Sequence, residues 1–312
     1  MNHKPLILVA GATGTQGGAV IDALIAKGIA VRAIVRNKNN EAAKALSEKK
    51  VELVEATFDD LAGLMQAAKG ATGIFSVQMG SHPGNKGEET RHATNLITAA
   101  KAAGIKQIVH TSVARAGEHK NFVDWDKGVW EPLYWEEKAA AIDAVKNAGF
   151  TYWTIIKPPF IMVNLLPPMD EMMFPTITTG IIATPIAPET KIDWVSPNDL
   201  GRFAAEAFVQ PEKFNKKEFA IVGETFTMDE VADVLTNVIG KPFKAISQSN
   251  EEALASGLFK YGIDSYIWQN VEGYNVDPHE AAEFGFQPES LKSFLEKNKS
   301  ILEEKYSELN IH

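Results

Sequence analysis

Residues 6–17 read Leu-Ile-Leu-Val-Ala-Gly-Ala-Thr-Gly-Thr-Gln-Gly, an apolar strand-forming run that enters three glycines and leaves into a helix-forming stretch, Ala19 to Lys27. Few folds accommodate that order. Gly11 supplies a tight turn off the strand, Gly14 lets bare backbone approach a pyrophosphate, and Gly17 lets the helix lie close to the sheet. The helix opens with N–H groups that lack an intrahelical acceptor, and the positive end of its dipole faces the same point. Glycines at this spacing recur by chance; the strand before them and the helix after them make a phosphate cradle.

Strands and helices then alternate. Val31 to Val35, Val51 to Val54, Gly73 to Val77, Gln107 to Thr111 and Tyr152 to Ile156 have strand character, and Glu41 to Ser47, Leu61 to Lys69, Glu88 to Ala103 and Glu131 to Ala148 have helical character. Gly28, Gly70, Gly104 and Gly149 stand where helix C-caps are wanted. Strict alternation implies right-handed crossovers and a doubly wound parallel α/β sheet, with a ligand at the carboxyl ends of its strands.

The pattern breaks after Lys157: residues 158–188 hold seven of the 15 prolines and four of the eight methionines, a composition suited to an adaptable apolar surface. The expected organisation is a nucleotide-binding domain over 1–158, rejoined by about 192–222, with a smaller C-terminal α+β substrate lobe made of 159–191 and 223–312. Ile192 to Val195 and Phe219 to Val222 read as strands returning to the main sheet, with a helix from Asn198 to Phe208 between them. Thr227-Met-Asp-Glu230 is a capping box for a helix ending at Gly240, and a last amphipathic helix is expected from about Glu289 to Tyr306. The glycine-rich loop Gly80 to Gly87 follows a strand end and should border the ligand.

Charge and composition exclude several classes. Lys and Arg total 31 against 40 acids, net charge -9, with no basic block, which argues against direct nucleic-acid binding. The absence of cysteine removes disulfides, thiolate nucleophiles and Cys-ligated metals. His119, near Glu118 and Asp124, matches no metal-ligand spacing, so no metal is expected. No apolar run approaches the roughly 20 residues of a membrane span, and a soluble, cytoplasmic protein is expected. Amphipathicity leaves monomer and homodimer both open.

Cofactor preference is read at the end of the second strand. Arg36-Asn37-Lys38 offers a planar fork and a point charge where an acid would favour NAD, so NADP(H) is expected over NAD(H). Tyr134 and Lys138, four apart, share one face of a helix, close enough for the ammonium to favour the phenolate and help the tyrosine exchange a proton. Ser112, at the end of the fifth strand, can hydrogen-bond the same substrate oxygen. Residues 122–153 also hold Phe122, Trp125, Trp130, Tyr134, Trp135, Tyr152 and Trp153, either an aromatic wall for a flat apolar substrate or simple packing. His110 reads as a satisfied core residue.

The chain resembles the short-chain dehydrogenase/reductase superfamily and, within it, the NmrA-like branch. The resemblance lies in residues 11–17, Val31 to Arg36, His110-Thr-Ser112, Thr154 to Phe160 with Asn164, and Val195 to Asp199, together with Gly240-Lys-Pro. It implies a Rossmann fold binding NADP, with Ser112, Tyr134 and Lys138 as the catalytic set. Thr13, Thr15, Gln16 and Arg36 would line the phosphates, Val77 and Gln78 would lie near the ribose and nicotinamide, and Pro158, Pro159 and Phe160 would border the nicotinamide. Thr57 stands where relatives carry an aspartate toward the adenine, and Lys157 replaces an arginine. Many members of the branch lack the tyrosine and sense the cofactor as regulators; Tyr134 favours an enzyme, a reductase of a small apolar carbonyl, enone or quinone. An NADP(H)-sensing regulator is the alternative, and Arg36 argues against a nucleotide-sugar epimerase.

Overall fold

In the computed structural model, which describes residues 5–309, the alternating runs of the first half become β1 (Leu6–Val9), α1 (Thr15–Ala26), β2 (Ala30–Val35), α2 (Glu41–Glu48), β3 (Glu52–Glu55), α3 (Leu61–Ala68), β4 (Gly73–Ser76), α4 (Glu88–Ala102), β5 (Gln107–Thr111), α5 (Pro132–Asn147) and β6 (Tyr152–Lys157). With the strand Lys217–Ala220 they form a seven-stranded sheet in the order Lys217–Ala220, β6, β5, β4, β1, β2, β3. The pairings among β1 to β6 are all parallel. Every residue of β4 and β5 is buried, as a parallel sheet covered by helices on both faces requires. α3, α4 and α5 pack side by side, while α1 packs on the helix Pro197–Val209. Val20, Ile21 and Leu24 anchor α1 at 0% exposure, and burial of each stabilises the fold by about 1.5–3 kcal/mol.

Strand order reverses between β1 and β4, so the connections leave these neighbours toward opposite faces and open a crevice at their carboxyl ends. The glycine turn sits there.

The chain divides into two compact units. The first holds the large sheet and comprises residues up to 119, 132–157 and 197–219; the second comprises 120–131, 158–196 and the chain from 220 onward. In the second, Phe160–Ile161, Ile192–Val195 and Glu224–Phe226 form a three-stranded sheet, and Ile181–Thr184 pairs in parallel with Lys244–Ser247. Its core gathers the rings of Phe160, Phe174, Trp194 and Tyr266, with Phe174 and Tyr266 stacked at 6.2 Å. The helix Met228–Ile239 carries the expected capping box at Thr227 and Glu230.

Three local expectations are corrected. α1 begins at Thr15 rather than Ala19, because packing against the turn outweighs the low helix propensity of Gly17 and Gly18. Ile192–Val195 does not rejoin the large sheet: it pairs antiparallel with Glu224–Phe226 and parallel with Phe160–Ile161, and Trp194, fully buried, meets the Phe160 ring edge-on at 4.8 Å. Only the later strand returns, over Lys217–Ala220 rather than Phe219 to Val222. The final helix is two helices, Leu291–Lys297 and Lys299–Lys305, interrupted where the Asn298 amide donates to the Phe294 carbonyl at 2.8 Å. No helix among the described residues is long and apolar enough to cross a membrane.

Candidate active site

The glycine turn is closed by its own backbone. Gly11 takes a φ of +59°, and a Cβ there would stand 2.6 Å from Cγ1 of Val77, so the ends of β1 and β4 approach as only glycine permits. At Gly17 a Cβ would stand 2.2 Å from the Gly11 carbonyl oxygen. Gly14 donates to the Gly11 carbonyl at 2.9 Å and caps α1 in an extended conformation, with no side-chain cap and no acid in the first turn. The N–H groups opening α1 are therefore free to meet an anion, and Thr13, Gly14 and Thr15 are exposed beside them. This cradle fits a pyrophosphate. Gln16 is less free than its position suggested, since its Oε1 accepts from the Thr111 hydroxyl at 2.8 Å.

Arg36 and Lys38 follow β2 and are exposed. Glu55, which pairs with Val35 across the sheet, accepts the Lys38 backbone N–H at 3.2 Å, so a carboxylate shares this corner with the two cations. Sequence reasoning missed it, because an acid at the end of a third strand looks like ordinary surface. Thr57 is exposed, while its acidic neighbours are committed elsewhere: Asp59 to Arg91 at 2.8 Å and Asp60 to the Gly63 N–H at 2.9 Å.

α5 sets Tyr134 and Lys138 on one face, and the structure supplies what holds them. The Tyr134 ring lies edge-on to Trp135 at 5.2 Å and against Gly80, where a Cβ would come within 2.8 Å of Cε2. The Lys138 ammonium stands 5.6 Å from the Tyr134 ring centroid. It donates to Glu89 Oε1 at 2.6 Å, both side chains being buried. Burial, and after it the Glu89 carboxylate, pushes the Tyr134 phenol well above its ordinary pKa. Any help that Lys138 gives the phenolate is thus opposed first by burial and then by the carboxylate that matches the ammonium. Glu89 stands in the first turn of α4, where an acid ordinarily complements the helix dipole, so nothing in the sequence singles it out.

Glu137, beside Lys138, accepts from the Ser81 hydroxyl at 2.7 Å and from the backbone N–H groups of Gly87 and Thr90. Burial opposes its charge, yet these hydrogen bonds hold its pKa below the usual carboxylate value. The loop expected to border the ligand is thereby tied to α5.

Ser112 follows β5 and is nearly buried, and its Oγ has no hydrogen-bond partner. Gln78 donates to Ser76 Oγ at 3.0 Å and leaves Oε1 unpartnered and buried. Orphaned buried polar atoms are costly unless a ligand or water completes them. His110 Nδ1 lies 3.2 Å from Ser76 Oγ. Burial, helped by the Lys138 charge, pushes the His110 pKa down to about 3. A depressed imidazole pKa means the unfolded chain binds the extra proton first, so stability falls as pH drops below about 6.5. Between pH ~6.5 and ~4.5 the expected slope reaches about 1.4 kcal/mol per pH unit, and His110→Gln should remove it. Urea unfolding across that window tests this; equal slopes in both proteins would contradict it. Glu89, whose pKa burial raises, titrates with the opposite sign and is present in both.

Pro158, Pro159 and Phe160 are buried in the second unit, where the Phe160 ring also lies 6.2 Å from Tyr266. The aromatic residues of 122–153 divide between the units. Phe122 packs on Trp268 at 5.4 Å in the second, whereas in the first Tyr152 donates to Glu212 at 3.0 Å and Trp153 receives the Lys146 ammonium at 6.0 Å. Lys157 bridges the Ala116 carbonyl and Glu218, at 3.0 and 2.8 Å.

Comparison with known proteins gives the chain's family and fold relatives. A family model described as the NmrA-like family matches residues 3–309. Quinone oxidoreductase 2 of Escherichia coli (strain K12) is 32% identical over 260 residues, 83% of this chain and 82% of that protein. The NAD(P)H azoreductase of Xenophilus azovorans is 26% identical over 251 residues, 80% of this chain and 79% of its own. Among solved structures, NmrA, a negative transcriptional regulator in complex with NADP, superposes with a TM-score of 0.67 at 20% identity, covering 99% of this chain and 93% of that one, a likeness of fold.

Proposed function

The chain belongs to the NmrA-like family, and from that premise we propose that it is an NADPH-dependent reductase of a small apolar carbonyl, enone or quinone. The observation that carries this is the occurrence, in one unit, of an uncapped glycine cradle, a buried Ser112 whose Oγ has no hydrogen-bond partner, and a Tyr134 ring beside the buried Lys138 ammonium. The relatives' names support it, two being a quinone oxidoreductase and an NAD(P)H azoreductase. NADPH, when bound, supplies hydride from its nicotinamide. The first-turn N–H groups of α1 would hold the pyrophosphate, and Arg36 with Lys38 the 2′-phosphate. Tyr134, kept as a phenol, gives its proton to the substrate oxygen, and Ser112 Oγ donates a hydrogen bond to that oxygen. Lys138 spends one N–H on Glu89, leaving two that would bind the ribose hydroxyls. Hydride and one proton together reduce a carbonyl to an alcohol or a quinone to a hydroquinone.

The test is consumption of NADPH, followed by its near-ultraviolet absorbance, against quinones, enones, aldehydes and azo dyes. Turnover with one class supports the reductase. A second reading, a coenzyme-sensing regulator, is favoured by the likeness to NmrA; NADPH binding without consumption across the whole panel would select it.

Arg36→Glu is expected to weaken NADPH by ~30-fold or more while changing NADH by less than ~3-fold, since a charge-assisted bidentate contact is lost and a repulsion added. Fluorescence titration with both coenzymes reads this, and equal losses would take the arginine out of 2′-phosphate recognition.

A further inference from the structure

Lys138 has a partner in Glu89 that the tyrosine–lysine pattern did not announce. We propose that Glu89 is a positioning residue of the Tyr134–Lys138 pair: it pins the ammonium and cancels its charge beside the ring, so that Tyr134 is held as a neutral proton donor and not as a base. This rests on the reading of Tyr134 as the donor to substrate.

The geometry carries it. Nζ and Oε1 are 2.6 Å apart, with side-chain exposures of 8% and 1%, and the two residues come from different helices, α5 and α4. Glu89 is fixed from behind: its N–H reaches Ser81 Oγ at 3.4 Å, and Ser81 is itself bound to Glu137. Its second oxygen, Oε2, is buried with no hydrogen-bond partner. A buried ion pair with an orphaned oxygen is a poor way to join two helices, since apolar side chains of the same volume do so at least as well. What it does here is electrostatic. An uncompensated ammonium beside a phenol favours the phenolate, and a carboxylate at ion-pair distance removes that bias.

The other groups facing the pair do not replace Glu89. From α5, Glu137 is held by Ser81, Thr90 and Gly87. From β5, His110 is neutral at physiological pH, and from β4, Ser76 carries no charge. Consistent with the geometry, the Glu89 carboxylate is the second cause, after burial, of the raised Tyr134 pKa. The consequence is that the hydroxyl stays protonated across neutral pH and is poorly prepared to take a proton during alcohol oxidation.

The experiment is an alkaline tyrosinate titration by ultraviolet difference absorbance on the coenzyme-free protein. Glu89→Gln keeps the side chain's size and removes its charge. The Tyr134 contribution is isolated by subtracting the same titration after adding Tyr134→Phe. In E89Q the Tyr134 signal is expected to move down by about one pH unit or more relative to its position, or its absence before unfolding, in the parent protein. E89Q that folds and shows no downward movement overturns the proposal. Should E89Q fail to fold, Glu89→Asp, which draws the charge back by one methylene, is expected to move the signal the same way by a smaller step, and no movement there overturns it equally. This readout requires neither coenzyme nor substrate. Normal turnover with an unmoved titration defeats the positioning role alone, whereas failure of the parent protein to consume NADPH defeats the reductase and leaves the titration to judge the pair.

Discussion

Tyr134→Phe should lower kcat by about 100-fold or more, the usual scale for a lost general acid, while leaving NADPH affinity within ~3-fold of the parent. The geometry makes this a clean substitution. The ring is gripped by Gly80, Trp135 and the Lys138 ammonium, contacts that a phenylalanine ring can repeat, so the variant removes a hydroxyl without opening a cavity. The coenzyme cradle at Gly11 to Gly17 is built by different residues. Because the Tyr134 pKa is raised, the parent enzyme is expected to show no loss of rate from tyrosine ionisation across neutral pH. Steady-state rates of both proteins with the best substrate of the panel settle it, and an unchanged kcat would remove Tyr134 from proton transfer.

Gly17→Ala should be nearly as damaging, by a different route. Its Cβ would be driven to 2.2 Å from the Gly11 carbonyl oxygen and 2.6 Å from its carbon, backbone that cannot swing aside like a side chain. The turn or the start of α1 has to move, at a cost of about 1–3 kcal/mol in stability. The free N–H groups then lose their common aim, and NADPH affinity is expected to fall by ~100-fold, the scale of two charge-assisted hydrogen bonds. Gly18→Ala is the control: the nearest atom to its Cβ is Ala12 O at 3.8 Å, an ordinary contact, and NADPH affinity should be retained. Thermal unfolding and coenzyme titration of both variants check the contrast. Equal behaviour of the two would mean that close approach at Gly17 does not shape the site.

Much of the first unit was legible because its signals are local. Periods of apolar residues placed β1 to β6 and α1 to α5 within a few residues of where they occur, and the motif at residues 11–17 located the turn. What escaped were features decided by partners distant in sequence. The Ile192–Val195 strand has the same β-forming composition as a central strand of the large sheet, but Trp194 is buried against Phe160, and no pattern within the strand records that choice. The break at Asn298 depends on an amide turning back to a carbonyl inside an otherwise continuous amphipathic stretch. Glu89 is 49 residues from Lys138 and sits where acids commonly complement a helix dipole. The glycine turn, the arginine and the tyrosine–lysine pair could therefore be read from the chain, whereas the charge state of that pair required the packing of α4 on α5.

All of this depends on a nicotinamide dinucleotide lying on the turn between β1 and α1 with its 2′-phosphate toward Arg36. Isothermal calorimetry of the purified protein with NADPH and then NADH addresses that most directly. Saturable one-site binding of NADPH, tighter than NADH by about 10-fold or more, is the predicted result. No heat with either coenzyme, at concentrations that saturate a dinucleotide reductase, would contradict it.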